Sequence, residues 1–167
     1  MQQDIEQDRQ LRLPGHFLDG QARLRALCDG LEAVADGLPA MPPPAIVHDL
    51  VEGLLTLLPA HQRSIGALLD TLAAEDDPCA LRRALAGRIR SQHVTDLVHA
   101  QDLGAVLMEP EPGALPELGY MLRCFFLGSR RALAFEALAL LHLGGEAPPE
   151  LIAAIGEGLA PRTARVD

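Results

Sequence analysis

The chain has 167 residues, about the size of one domain, and a domain of that length can bury a core without a disulfide or structural metal. It carries 14 basic residues against 23 acidic ones, and this negative balance argues against binding to nucleic acid or to an anionic membrane. Hydrophobic residues make up 49% of the chain but aromatic residues only 3%, so the core must consist of small and aliphatic side chains, which favours closely packed helices.

The cysteines and the N-terminus indicate the compartment. Cys28, Cys79 and Cys124 are far apart and form no CxxC pair, which favours reduced thiols. Cys28 and Cys124 fall on or near apolar faces and are interpreted as small buried hydrophobes. The polar N-terminus has no apolar signal core, and no run approaches the ~18 apolar residues of a membrane span. We therefore predict a cytoplasmic protein without a membrane segment.

Proline and glycine divide the chain into segments. The predicted organisation is a polar N-terminal arm (1–15), a helical bundle (16–160) and a flexible tail (161–167). Within the bundle the breaks are GLPAMPPPA (37–45), EDDP (75–78), EPEPGALP (109–116) and GGEAPPE (144–150). Asp77 is predicted to cap the third helix with Pro78 in its first turn, and Pro116 is predicted to start the fourth.

Each segment between these breaks repeats apolar residues at three- and four-residue steps, the period of an amphipathic helix. We predict an all-α fold, namely an antiparallel up-down four-helix bundle with a short C-terminal helix. Pro59 lies inside the second segment and is expected to interrupt it. One polar residue of each helix falls on the apolar face; these residues are Gln21, Ser64, His93 and Glu136.

Four strings resemble the hemerythrin-like (hemerythrin HHE cation-binding) domain, and together they extend over roughly residues 17 to 160. They are GQARLRALCDGLEAV (20–34), LLPAHQRSIGALLDTLAA (57–74), RIRSQHVTDL (88–97) and ALAFEALALLHLGGEAPPELIAAI (132–155). The resemblance implies a helical bundle in which inward histidines and bridging carboxylates bind two irons. It also implies a role in the handling of oxygen, nitric oxide or iron.

The resemblance assigns inward ligand positions to this chain residue by residue. In chain order these positions hold Gln21, Ala60, Ser64, His93, Ala132 and Glu136. Only His93 and Glu136 keep the ligand type of the family. We therefore predict a degenerate di-iron site without a cofactor, with iron held by His93, Glu136 and His61 as the alternative.

Glu136 lies in a strongly apolar helix, and a buried carboxylate needs a partner or a proton. We predict that its partner is His93 on the neighbouring helix. Three interpretations stay open at this point: a metal-free core pair, a ligand-binding pocket and a residual mononuclear metal site. His61 is the residue that could supply a third ligand. His48 and Glu52, four residues apart, are interpreted as a surface pair.

No phosphate-binding loop, GxSxG motif or nucleophile–base–acid set is present in the sequence. The predicted role is therefore non-catalytic: a sensing, ligand-holding or protein-interaction module. The alternative is a working protein that binds iron, oxygen or nitric oxide through a reduced ligand set. A homo-oligomer or protein partner is predicted to use an apolar surface formed by Tyr120, Met121 and Phe126.

Overall fold

The computed structural model describes residues 11–12, 15–73 and 77–146, with the single positions 149, 153 and 156. Its helices are α1 (Gly15–Gly37), α2 (Pro44–Glu52), α3 (Leu58–Leu72), α4 (Ala80–Met108) and α5 (Leu115–His142). The predicted all-α class is confirmed. Two-residue strands β1 (Leu11–Arg12) and β2 (Gly145–Glu146) pair in parallel. Most of the predicted arm, most of the C-terminal helix and the whole tail lie outside the described residues.

The predicted breaks agree with the helix ends. The first break follows α1, which ends at Gly37, and α5 begins at Leu115 with Pro116 in its first turn, where a missing N–H costs nothing. The capping prediction for Asp77 is wrong, because the N-cap residue of α4 is Cys79. The Asp77 carboxylate instead accepts hydrogen bonds from the Cys79 N–H (2.8 Å) and from Arg82 Nε (2.9 Å). Because of these bonds, residues 77 and 78 stay outside the helix, and α4 begins after Cys79.

Pro59 does not interrupt the second segment, contrary to prediction. A five-residue π-helical turn, Gly53–Leu57, joins α2 to α3, so the helix runs from Pro44 to Leu72. Proline removes one N–H donor and crowds the carbonyl one turn earlier. A π turn is wider than an α turn and holds about one residue more, so it relieves this conflict without ending the helix. The buried face continues through this turn from Leu54 to Leu58 and His61.

Two apolar clusters form the core, and buried polar residues separate them along α1, α3, α4 and α5. The first cluster includes Leu24 to Ala35 of α1 and Leu118 to Leu133 of α5, and the second includes Phe17 and Ala137 to Leu143. The buried polar side chains are Gln21, His61, Gln62, His93 and Glu136. In sequence, each of them falls between the residues that its helix gives to the two clusters. We call these five residues the polar layer.

The surface predicted for a partner is only partly present. Tyr120 is 72% exposed and Met121 is half-buried, but Phe126 is 3% exposed and belongs to the first cluster. The Arg130 guanidinium lies over the Phe126 ring, 5.1 Å from its centroid. Phe126 is therefore a core residue and not an interface anchor.

The exposure of the other predicted residues is mixed. Cys28 is buried as predicted, whereas the prediction for Cys124 is wrong because Cys124 is exposed. His48 and Glu52 are both exposed, in agreement with a surface position. Within the described part of the chain, no helix combines the length and the apolar character needed to cross a bilayer.

Candidate functional site

The polar layer is organised around the carboxylate of Glu136 on α5. One oxygen, Oε1, lies 2.6 Å from His93 Nε2 on α4, and the other, Oε2, lies 3.0 Å from His61 Nε2 on α3. All three side chains are buried, and Glu136 is only 4% exposed. The structure therefore contains the Glu136–His93 contact that the sequence predicts, and it adds His61 as a second partner. We call these three residues the His–Glu–His cluster.

The protonation of the cluster follows from its geometry. Burial alone would raise the pKa of Glu136, but the hydrogen bonds from His61 and His93 outweigh burial and hold its pKa below the ordinary value. Glu136 is therefore ionised at neutral pH, and an ionised carboxylate can only accept hydrogen bonds. Both histidines must then donate from Nε2. No partner for Nδ1 of His61 exists among the described residues.

Neighbouring side chains fix the orientation of the two rings. The Phe17 ring stacks on His61 with centroids 5.9 Å apart, at an angle of 25° between the planes. Gly20 lets α1 approach His61 closely, since a Cβ at that position would lie 2.6 Å from His61 Nδ1. The amide of Gln62 donates to the backbone carbonyl of His93 over 3.3 Å and ties α3 to α4. Contacts from α1, α3, α4 and α5 therefore fix the geometry of the cluster.

Other predicted positions take different places in the structure. Gln21 is buried beside the cluster, where its amide donates to the carbonyl of Leu133 over 3.2 Å. Ala132 is half-buried and lines the cavity described below. Ser64 is half-buried, and its hydroxyl has no partner among the described residues. Ala60 is exposed and takes no part in the site.

The inward positions on α3 are His61 and Ile65, one residue later than the predicted Ala60 and Ser64. The buried residues Leu54, Leu58, His61 and Ile65 follow ordinary steps of three and four residues, so the ligand positions implied by the resemblance are one residue out of phase with the buried face. Sequence reasoning missed Gln62 entirely. The only available signal was the neighbouring His61, since two adjacent residues of a buried helix can both face the interior.

A small enclosed cavity adjoins the cluster. Its volume is about 20 Å³, which is room for one water molecule and for nothing larger. Its polar lining includes His61, Gln62, Asp96 and Glu136, and the rest of the wall is mostly apolar. Burial raises the pKa of Asp96, although the amide of Gln92 donates to it over 2.7 Å. This cavity therefore has no space for an organic ligand.

No family model, curated protein or solved structure matches the chain. The hemerythrin-like resemblance stays a prediction that rests on the four strings quoted above.

The described residues do not fit the di-iron centre that this resemblance implies. Among them, no group of three or more His, Cys, Asp or Glu side chains has an arrangement that could hold a metal ion. Both Nε2 atoms of the cluster point at carboxylate oxygens and not at a common empty position. The positions that would complete the iron ligands carry the amide of Gln21 and the methyl groups of Ala60 and Ala132. What this site can do chemically is hold an ionised carboxylate between two histidine donors in the core.

Proposed function

We propose that the protein is a non-catalytic, ligand-holding bundle of hemerythrin-like type in which a hydrogen-bonded His–Glu–His cluster replaces the di-iron centre. One observation carries this function: both oxygens of Glu136 accept histidine hydrogens inside the core, at 3.0 Å and 2.6 Å. Paired in this way, the buried charge is compensated without a metal. The cluster then stabilises the bundle and performs no reaction.

The bundle in this proposal is an antiparallel up-down one, and two sets of contacts support that arrangement. Along α1 and α5 the contacts run in opposite directions, because Gln21 bonds to Leu133 whereas Asp36, further along α1, pairs with Arg123. The second apolar cluster combines the N-terminal parts of α1 and α4 with the C-terminal parts of α3 and α5. This alternation is typical of four consecutive helices that each reverse direction.

A ligand-holding role then belongs to the surface of the bundle. The cavity beside the cluster admits one water molecule, so a larger molecule has to bind outside this cavity. A diatomic gas or a metal at the cluster would have to displace the hydrogen bonds of Glu136. A second function, iron binding through a reduced ligand set, is favoured by one observation, the convergence of His61, His93 and Glu136 from three different helices.

Metal content separates the two functions. The protein is expressed in iron-supplemented medium, and iron per chain is measured together with the absorption spectrum. We expect far less than one iron per chain and no charge-transfer band, unchanged in the His61→Ala and His93→Ala variants. About one or two irons per chain, with a band that disappears in those variants, would establish the iron-binding function and overturn the metal-free one.

A further inference from the structure

A groove on the surface between α4 and α5 has the dimensions of a ligand site. Its volume is about 500 Å³, within the usual range for small-molecule pockets. The groove is lined by Arg88, Ile89 and Gln92 of α4 and by Gly128, Arg131, Ala132, Phe135 and Glu136 of α5. It is thus about twenty-five times larger than the cavity in the core and is open to solvent.

The charges in the groove are unusual for this protein. Many of the described arginines bind an oxygen of the protein; these are Arg25, Arg82, Arg83, Arg90, Arg123 and Arg130. Arg88 and Arg131 have no such partner among the described residues, yet both line the same groove. The only carboxylate in the lining is Glu136, whose two oxygens already accept hydrogen bonds from His61 and His93. In a chain of net charge −9, the groove therefore presents a local excess of positive charge.

Apart from Gln92, the rest of the lining is apolar. Phe135 is half-buried and offers hydrophobic surface at the wall, whereas Ile89 is only 1% exposed and offers almost none. At Gly128 a Cβ would meet nothing within 4 Å, which means that the groove is open above this glycine. Guanidinium groups bind carboxylate and phosphate oxygens through paired hydrogen bonds, and an aromatic wall suits a flat apolar body.

We infer that the α4–α5 groove binds a small organic oxyanion, a carboxylate or phosphate ester carried on a flat apolar body, through Arg88 and Arg131. This inference rests on the ligand-holding role proposed above and names its ligand class. The metal-free cluster does not depend on it, because metal content tests the cluster separately. The anionic group binds between the two guanidinium groups, and the apolar body packs on Phe135.

The test is calorimetric titration of the full-length protein with benzoate and phenyl phosphate as probes, and with neutral benzyl alcohol and inorganic phosphate for comparison. We expect saturable binding of at least one aromatic anion and none of benzyl alcohol. The preference between the two anions identifies the oxyanion. Weaker binding of inorganic phosphate would show that the apolar body contributes.

Three variants locate the site, and a fourth variant serves as a matched control. Arg88→Gln and Arg131→Gln are each expected to raise the Kd for the better anion at least about ten-fold, since each removes a charged hydrogen-bond donor. Gly128→Leu fills the open space above the groove, improves helix propensity and is expected to abolish binding. Arg63→Gln, at an exposed arginine that does not line the groove, should change the Kd by less than about two-fold.

Two results would overturn the inference. One is the absence of saturable binding of both aromatic anions to the folded protein. The other is binding that Arg63→Gln weakens as much as Arg131→Gln does, because such binding would be general attraction to surface charge. Circular dichroism of each variant confirms that a loss of binding is not a loss of folding.

Discussion

Replacing Glu136 with alanine removes the acceptor on which two buried histidines converge. Both contacts are short, 2.6 Å to His93 and 3.0 Å to His61, and the carboxylate is only 4% exposed. A hydrogen bond to a charged group contributes about 1.5–3 kcal/mol, and the variant loses two of them. It also leaves two buried ring donors unpaired. We expect Glu136→Ala to lower the free energy of unfolding by about 3–5 kcal/mol.

A second substitution at the same position separates charge from shape. Glu136→Gln keeps the size of the side chain, and its amide oxygen can accept from one histidine. Its NH₂ group then faces the other histidine, whose ring has to move its proton to Nδ1 in order to accept at Nε2, and both charge-assisted hydrogen bonds become weaker neutral ones. The loss of stability is expected to be smaller than in Glu136→Ala but still above about 1.5 kcal/mol. This order of effects depends on both histidines donating to the carboxylate.

The assay is urea unfolding at pH 7, followed by helical circular dichroism. An unchanged dependence on urea would show that the variants alter stability and not the extent of unfolding. Glu52→Ala is the control, since Glu52 is exposed on α2, and its change should stay within about 0.5 kcal/mol. A loss below about 0.5 kcal/mol for Glu136→Ala would refute the reasoning, because removing one partner of a buried charged pair should lower the free energy of unfolding by much more than this.

The remaining predictions concern pH, two glycines and one thiol. The folded-state pKa of Glu136 lies below its ordinary 4.5, so its contribution to stability is complete above pH 4.5 and is lost as the pH falls through the folded pKa. The difference in unfolding free energy between wild type and Glu136→Gln should therefore shrink in acid; a growing difference would contradict this. Gly20→Ala sets a Cβ 2.6 Å from His61 Nδ1 and should cost about 1–3 kcal/mol in urea unfolding. Gly87→Ala, with nothing within 4 Å, should gain about 1 kcal/mol, and equal effects of the two glycine variants would be inconsistent with this packing. Burial raises the pKa of Cys28 to about 12, so a disulfide reagent at pH 8 should react quickly with the two exposed cysteines only; rapid reaction of all three thiols would be the contrary result.

Much of the fold follows from the sequence because its punctuation is strong. Proline- and glycine-rich strings coincide with the helix breaks, and the apolar period identifies the buried faces of α1 and α5. Sequence reasoning fails where the local preference of a residue is outweighed by its contacts in the folded chain. Pro59 predicts an interruption, but the π turn absorbs the proline and keeps the helix continuous. Asp77 has the right side chain for a cap, but its bonds to Cys79 and Arg82 hold it outside the helix.

The candidate site is predictable only in part, for a reason of geometry. The period of α4 and α5 places His93 and Glu136 on inward faces, so their contact can be anticipated. The inward residue of α3 is missed because the resemblance places the ligand position at Ala60, whereas the buried residues Leu54, Leu58 and Ile65 put His61 on the inward face. The prediction that Phe126 lies on the surface is wrong, since Phe126 is buried together with its neighbour Phe125. A helix that packs on several neighbours buries both.

The polar layer has a consequence for how the helices align along their axes. Leucine and alanine dominate both apolar clusters, and the burial of apolar surface has no preferred direction, so a helix that slid by one turn, about 5.4 Å, would still find apolar neighbours. The same slide would carry the carboxylate of Glu136 away from both histidines and set it against hydrocarbon. That penalty selects a single axial register in a core whose other contacts would tolerate several.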